Sequence, residues 1–119
     1  MPSNIGKDIE GILDQNIRTA TMDQKQAIAV VKAYKDVISE HYKGAYVYLY
    51  GSYSKGTAHD DSDIDVAVVL PEVKGDWFSL VPPLWKYARQ VNSLIEPVLM
   101  EEGEDSPLYI DVMNTGIAV

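Results

Sequence analysis

The sequence predicts a small α/β (α+β) domain: a mixed β-sheet with helices packed mainly on one face. Three observations carry this reading. Three short runs, 45–50, 63–70 and 93–100, are rich in the β-branched and aromatic residues that suit strands. Stretches with helically spaced apolar residues lie before and between them. The length of 119 residues, with 46% hydrophobic content, allows one real core but not two ordinary domains. The expectation is a single domain spanning 1–119.

Taken in order, 5–18 carries apolar residues at 5, 9, 12, 13 and 17, the pattern of a short amphipathic helix. Thr21, with Gln24 three residues on, has the spacing of a capping box. From there Ala27, Val30, Val31, Tyr34, Val37, Ile38 and His41 mark one face of a helix expected to end near Lys43-Gly44, with Gly44 left-handed. In 45–50, Tyr46, Tyr48 and Tyr50 alternate with Val47 and Leu49, which separates two strand faces. The second strand, 63–70, stops at Pro71. A helix is expected over 76–92, with Pro82-Pro83 disturbing its early part. The third strand is 93–100. Pro97 points to a sheet edge or a strand end. A short helix over 107–114, with Ser106 as its cap, precedes a final extended piece, 116–119.

Composition narrows the function. A net charge of −8 does not attract a polyanion, so no direct nucleic-acid binding is expected. No run approaches the roughly 20 apolar residues of a membrane span. Met1-Pro2-Ser3-Asn4 lacks signal-peptide features, and cysteine is absent, which excludes disulfides and thiolate metal sites. The expected location is cytoplasmic. The acidic run Glu101-Glu102-Gly103-Glu104-Asp105 reads as a solvated loop.

The informative stretch is 48–70. An apolar run ends at Gly51-Ser52. A polar loop follows, and Asp63-Ile64-Asp65 opens the next apolar run. In a strand, Asp63 and Asp65 project from one face while Ile64 enters the other. Two carboxylates on one face, beside a turn with free backbone N–H groups, suit Mg²⁺ and a polyphosphate. Rival motifs fail. Asp61, Asp63, Asp65 and Glu72 take EF-hand spacing, but Val66 stands where that loop needs glycine. Gly51 and Gly56 have P-loop spacing, but Thr57-Ala58 follows in place of Lys-Ser/Thr, and no Gly-x-Gly-x-x-Gly is present. An inert turn before a strand leaves the aspartate pair unexplained unless it is solvated.

Gly51-Ser52, ten residues, then Asp63-x-Asp65 resembles the signature of the minimal nucleotidyltransferases, within the DNA polymerase beta-like nucleotidyltransferase superfamily. That resemblance implies Mg²⁺-dependent transfer of a nucleoside monophosphate, AMP from ATP as the first expectation, to a hydroxyl. It implies two metal ions held by Asp63, Asp65 and a third carboxylate on a later strand. Glu96 is the candidate, with Asp111 as competitor. Gly51, Ser52, Lys55 and Ser62 are the expected nucleotide contacts: Gly51 by close backbone approach, Ser52 by its donors, Lys55 as a phosphate cation and Ser62 by ordering the loop. An equally simple role for Lys55 is a surface lysine. Many members pair with HEPN-domain proteins, and some add AMP to such a partner, so an antitoxin-type pairing is expected. A homo-oligomer, a non-catalytic antitoxin-like module and a transferase of aminoglycoside type are the alternatives.

The remaining side chains read more plainly. His41 and His59 lack ligand spacing. Tyr46, Tyr48 and Tyr50 suit sheet packing ahead of base stacking. Trp77 and Trp85 suit the core or a partner surface.

Overall fold

The structure, a computed structural model, describes residues 22–119. The helix expected over 5–18 and the capping role of Thr21 lie outside the described residues. Eight elements follow in order: α1 (Gln24–Ile38), β1 (Tyr46–Tyr50), α2 (Ser52–Lys55), β2 (Ile64–Leu70), α3 (Trp77–Val91), β3 (Ile95–Glu101), α4 (Pro107–Thr115) and β4 (Ile117–Ala118). The strands form one sheet in the order β3-β2-β1-β4. The β1–β2 and β1–β4 pairs are antiparallel, and β2–β3 is parallel. A parallel pair needs a long crossover, and α3 supplies it.

The capping box of α1 sits two residues later than expected. The Asp23 carboxylate accepts from Gln26 N–H at 2.7 Å, and Gln26 Oε1 accepts from Asp23 N–H at 2.8 Å. Ala27, Val31, Tyr34 and Ile38 form its buried face. Regular helix stops at Ile38, earlier than expected. His41 and Tyr42 N–H both donate to the Ile38 carbonyl, a tightened last turn that satisfies end groups without extending the helix. Gly44 is left-handed (φ +75°), but in the turn into β1.

Pro82 and Pro83 lie inside a continuous α3, where a disturbance was expected. The ladder bonds they delete would have ended on the carbonyls of Phe78 and Ser79. Both residues are exposed, so water can satisfy what the prolines leave open. Asp76 caps the helix through Phe78 N–H at 2.9 Å. In the turn after β3, Glu104 is not simply solvated: its carboxylate accepts from Glu101 N–H and from the Ser106 hydroxyl, each at 2.8 Å.

The sheet separates two apolar clusters. On one face, Val47, Leu49, Ile64, Val66, Val68, Ile95 and Leu99 pack with Val31, Tyr34 and Ile38 of α1 and with Leu84 and Ala88 of α3. Each fully buried large aliphatic contributes about 1.5–3 kcal/mol. The Tyr34 hydroxyl, in this core, donates to the Leu84 carbonyl at 2.8 Å. The opposite face holds a smaller cluster, Ala67, Val69 and Met100 under Val112 of α4, with Tyr48, Tyr50 and Tyr109 at its margin. The polar chemistry gathers on that second face. No helix among the described residues is long and apolar enough to cross a membrane.

Candidate active site

Strand register assembles the site. Tyr50 of β1 pairs with Asp65 of β2, and Asp65 pairs with Glu96 of β3. Side chains directly opposite in a sheet share a face, so the three form a row across the sheet. It lies on the α4 face because Asp65 alternates with Val66, which is buried on the other side. Glu96 thus joins an aspartate 31 positions away in sequence. Among the described residues β3 lies at an edge of the sheet, as Pro97 led one to expect, and Glu96 is exposed there.

The turn from β1 to α2 is built against this row. Gly51 has φ +75° and ψ −146°, a conformation close to the region reserved for glycine. A Cβ on Gly51 would lie 2.3 Å from a carboxylate oxygen of Asp65. The glycine therefore makes room for Asp65 itself. The helical turn after it is short: Lys55 N–H donates to the Gly51 carbonyl at 3.1 Å, and the Ser54 hydroxyl donates to the same carbonyl at 3.0 Å. Gly56 closes it in the left-handed conformation. Ser52 is half-buried at its start.

Ser62 is the buried polar residue of the described chain, 7% exposed. Its hydroxyl accepts from His59 N–H at 2.8 Å, and its N–H donates to the His59 carbonyl at 2.9 Å. His59 Nδ1 in turn accepts from Asp61 N–H at 3.2 Å. Ser62 thus staples the loop that delivers Asp63, and its hydroxyl is engaged there. Asp63 stands just before β2, exposed, while Asp65 is half-buried inside it.

The carboxylates perturb one another. Burial, then the charge of Asp63, pushes the Asp65 carboxyl up. Partial desolvation, a side-chain hydrogen bond with Asp63 and the charges of Asp63 and Asp65 push the Glu96 carboxyl up, while Arg89 pulls it down. Because Glu96 is exposed, its acidic neighbours are the weightier cause. Tyr50, desolvated and facing Asp65, Glu96 and Asp111, has its phenol pushed up to about 12. Like charges this close favour a proton or a cation between them. Among the described residues no group of three or more His, Cys, Asp or Glu side chains is already gathered in metal-holding geometry. The donor chemistry nevertheless fits a hard divalent cation: anionic oxygens in mutual repulsion, with no soft ligand nearby.

Lys55 and Asp111 find each other. Lys55 Nζ lies 3.2 Å from the Asp111 carboxylate, with both side chains about two-fifths exposed (45% and 39%). Asp111 sits on α4 behind the Ser106 cap, whose hydroxyl accepts from Tyr109 N–H at 3.1 Å. The two candidates for the third carboxylate therefore differ: Glu96 lies in the sheet row with Asp65, and Asp111 pairs with a lysine.

A family model described as a nucleotidyltransferase domain matches residues 31–118. The chain belongs to the nucleotidyltransferase domain family. It is similar to a candidate protein adenylyltransferase of Methanocaldococcus jannaschii, with 26% identity over 98 residues, 79% of this chain and 99% of the relative. Among solved structures it is similar to a toxin–antitoxin crystallised with AMP-PNP, at TM-score 0.54 and 25% identity over 82% of this chain and 72% of that one. A candidate nucleotidyltransferase from Sulfolobus solfataricus shares the fold, at TM-score 0.57 and 21% identity over 80% of each chain.

In this nucleotidyltransferase, sequence reasoning missed three side-chain relations. Tyr50 stands in the carboxylate row. Arg89 lies near Glu96 and donates to the carbonyls of Ser93 and, at 3.1 Å, Ile95, while stacking over Trp85 at 5.2 Å. Gly51 spares Asp65 a clash. Only the first left a signal: Tyr50 directly precedes the Gly51 turn, so the antiparallel connection through residues 51–63 brings it opposite the start of the next strand.

Proposed function

We propose that this nucleotidyltransferase, with Mg²⁺, transfers AMP from ATP to a hydroxyl of a protein partner, the hydroxyl oxygen bonding to the α-phosphorus as the bond to the β-phosphate breaks and pyrophosphate leaves, and that Asp63, Asp65 and Glu96 hold the metal. The observation that carries the reading is the Tyr50–Asp65–Glu96 row beside Asp63, where carboxylates repel one another at the mouth of a glycine turn. Two bound cations would supply the charge that aligns attacking and leaving oxygens in line. The chain's own residues do the rest. Gly51 and Ser52 receive the phosphates at the turn, where no Cβ blocks approach. Lys55 is already held over the α4 face by Asp111 and can exchange that carboxylate for a phosphate oxygen, because an exposed ion pair is worth only about 0–1 kcal/mol. Glu96, beside Asp65 in the row and with its carboxyl raised by its acidic neighbours, is placed to accept the proton of the attacking hydroxyl.

The partner is drawn from the relatives. One is a candidate protein adenylyltransferase and another a toxin–antitoxin pair bound to an ATP analogue. A toxin of HEPN type, modified on a hydroxyl and masked as by an antitoxin, fits that company. Its walls would exclude water and align the acceptor. The test uses ATP labelled on the α-phosphate, with γ-labelled ATP as control, Mg²⁺ and the chain co-expressed with its genomic neighbour. Only the α-label is expected on the partner. Glu96→Gln should cut transfer far more than Asp111→Asn. The reverse ranking would move the third ligand to Asp111, and α-label appearing only on small molecules would overturn the protein acceptor.

A further inference from the structure

A concave feature lies at the end of the sheet opposite the carboxylate row. It is a groove of about 370 Å³ between the α1–β1 turn, the end of β2 and the start of α3. Asp65 is at the beginning of β2 and Leu70 at its end, so the two features are separated by about five residues of strand, or roughly 17 Å. The volume is within the range of small-molecule sites, about 300–1,000 Å³.

The groove has a fixed apolar floor and a charged rim. Leu70 and Leu80 form part of the floor. The Tyr42 hydroxyl donates to the Leu80 carbonyl at 2.7 Å and ties the turn to α3. Gly44, at φ +75°, lets this turn close on Pro71: a Cβ there would be 3.2 Å from the proline ring. The rim carries Lys43, Lys74, His41 and Glu72. His41 is exposed, and its ring stacks on Tyr87 with centroids 4.7 Å apart and planes at 10°.

The charge pattern runs against that of the chain. The protein carries −8 overall, yet two lysines face one glutamate here. Neither lysine has a hydrogen bond or ion pair among the described residues. Lys25, Lys32 and Lys86 likewise have none, but only Lys43 and Lys74 line this groove, whereas Lys35 donates to the Val119 carbonyl at 2.7 Å, Lys55 pairs with Asp111, and Arg89 holds the Ser93 and Ile95 carbonyls. Two ammonium groups on the rim of one concave, partly apolar surface suit a phosphate. A flat ring of the same ligand can lie on the aromatic stack. Glu72, an exposed acceptor on the same rim, can accept from a hydroxyl or amine of the same ligand.

We propose that this groove binds a mononucleotide by its phosphate and ring, as a site separate from the carboxylate row. Lys43 and Lys74 take the phosphate, His41 on Tyr87 carries the base, and Glu72 accepts from the sugar or base. The inference does not depend on the transfer reaction, since it requires neither metal nor turnover.

Amide NMR titration tests it with three probes, AMP, ribose 5-phosphate and inorganic phosphate, in chelator so that the carboxylate site is without Mg²⁺. AMP is expected to shift His41, Lys43 and Lys74 saturably. Ribose 5-phosphate and phosphate should shift the two lysines more weakly and leave His41 still. The Lys43→Ala/Lys74→Ala pair should weaken AMP at least tenfold, with unchanged dispersion of the other peaks showing that the fold is kept. Ser52→Ala should leave these shifts intact. Three results would overturn the proposal: AMP shifts confined to 51–55 and 63–65, equal effects of AMP and inorganic phosphate, or full binding in the double-lysine variant. Failure of transfer with persisting AMP shifts would instead count against the proposed reaction alone.

Discussion

Gly51→Ala separates the cost of folding from the cost of function. The residue has φ +75°, and holding a non-glycine residue in so sparse a region costs about 1–3 kcal/mol. At roughly 4 °C per kcal/mol for a domain of this size, this strain alone should lower the melting temperature by about 4–12 °C. The new methyl would also sit 2.3 Å from the Asp65 carboxylate oxygen. That oxygen ends a rotatable side chain, so it can swing aside at about 0.5–1.5 kcal/mol for an off-rotamer angle. Swinging aside removes it from the row with Glu96, and a displacement near 1 Å at a reacting centre can cost about 100-fold. Transfer of α-labelled phosphate should therefore drop by two orders of magnitude or more in a protein that still folds. A double-mutant cycle isolates the clash. In an Asp65→Ala background, Gly51→Ala should cost only the backbone strain, leaving a coupling of about 0.5–1.5 kcal/mol in urea unfolding. Additive stabilities, or near-normal transfer by Gly51→Ala, would refute the reasoning.

Two further perturbations test the electrostatics and the core. Asp65→Asn should hold or raise the melting temperature of the metal-free protein at neutral pH. The folded Asp65 carboxyl is raised, so its ionised form costs stability above that value, and the cost is relieved as pH falls through it. Mg²⁺ should raise the melting temperature of the parent chain and not of the variant; an equal rise in both would remove Asp65 from the metal site. Tyr34→Phe should cost about 0.5–1.5 kcal/mol near neutrality through the lost bond to Leu84. Burial raises the Tyr34 phenol above its ordinary value of 10.0. The unfolded chain therefore loses this proton first, and stability should decline as pH climbs beyond about 10. Urea midpoints followed across that range should fall less steeply in the variant, and parallel curves would contradict the assignment.

The motif was legible because it is local. Gly51-Ser52 and Asp63-x-Asp65 are joined by one turn and one loop, so residue types and the period of two already put Asp65 on the polar face. The edge position of β3 was legible too, because Pro97 cannot serve an inner ladder. Less could be read where tertiary partners decide. Nothing near His41 announces that α1 tightens and stops at Ile38. Pro82-Pro83 left α3 intact, and the residues whose carbonyls they orphan, Phe78 and Ser79, are exposed. The Lys55–Asp111 pair joins residues 56 positions apart, and sequence alone could assign one to phosphate and the other to an exposed helix without bringing them together.

Strand register has a consequence for how this chain tolerates change in length. The parallel pairing sets Ile64 beside Ile95 and Asp65 beside Glu96, so apolar and acidic residues alternate in step on two strands. Slipping β3 by one residue would exchange every side chain between the faces: Glu96 would enter the apolar core, and Ile95 would take its place in the row. The short turn from Asn92 to Leu94, held by Leu94 N–H to Asn92 Oδ1 at 2.8 Å and by Arg89 to the Ser93 carbonyl, leaves little slack to absorb an extra residue. Substitutions on β3 can trade stability against activity, but a single insertion or deletion in that turn strikes both at once. The reading frame of the sheet is thus also the reading frame of the candidate active site, and change in sequence can proceed there only at constant length.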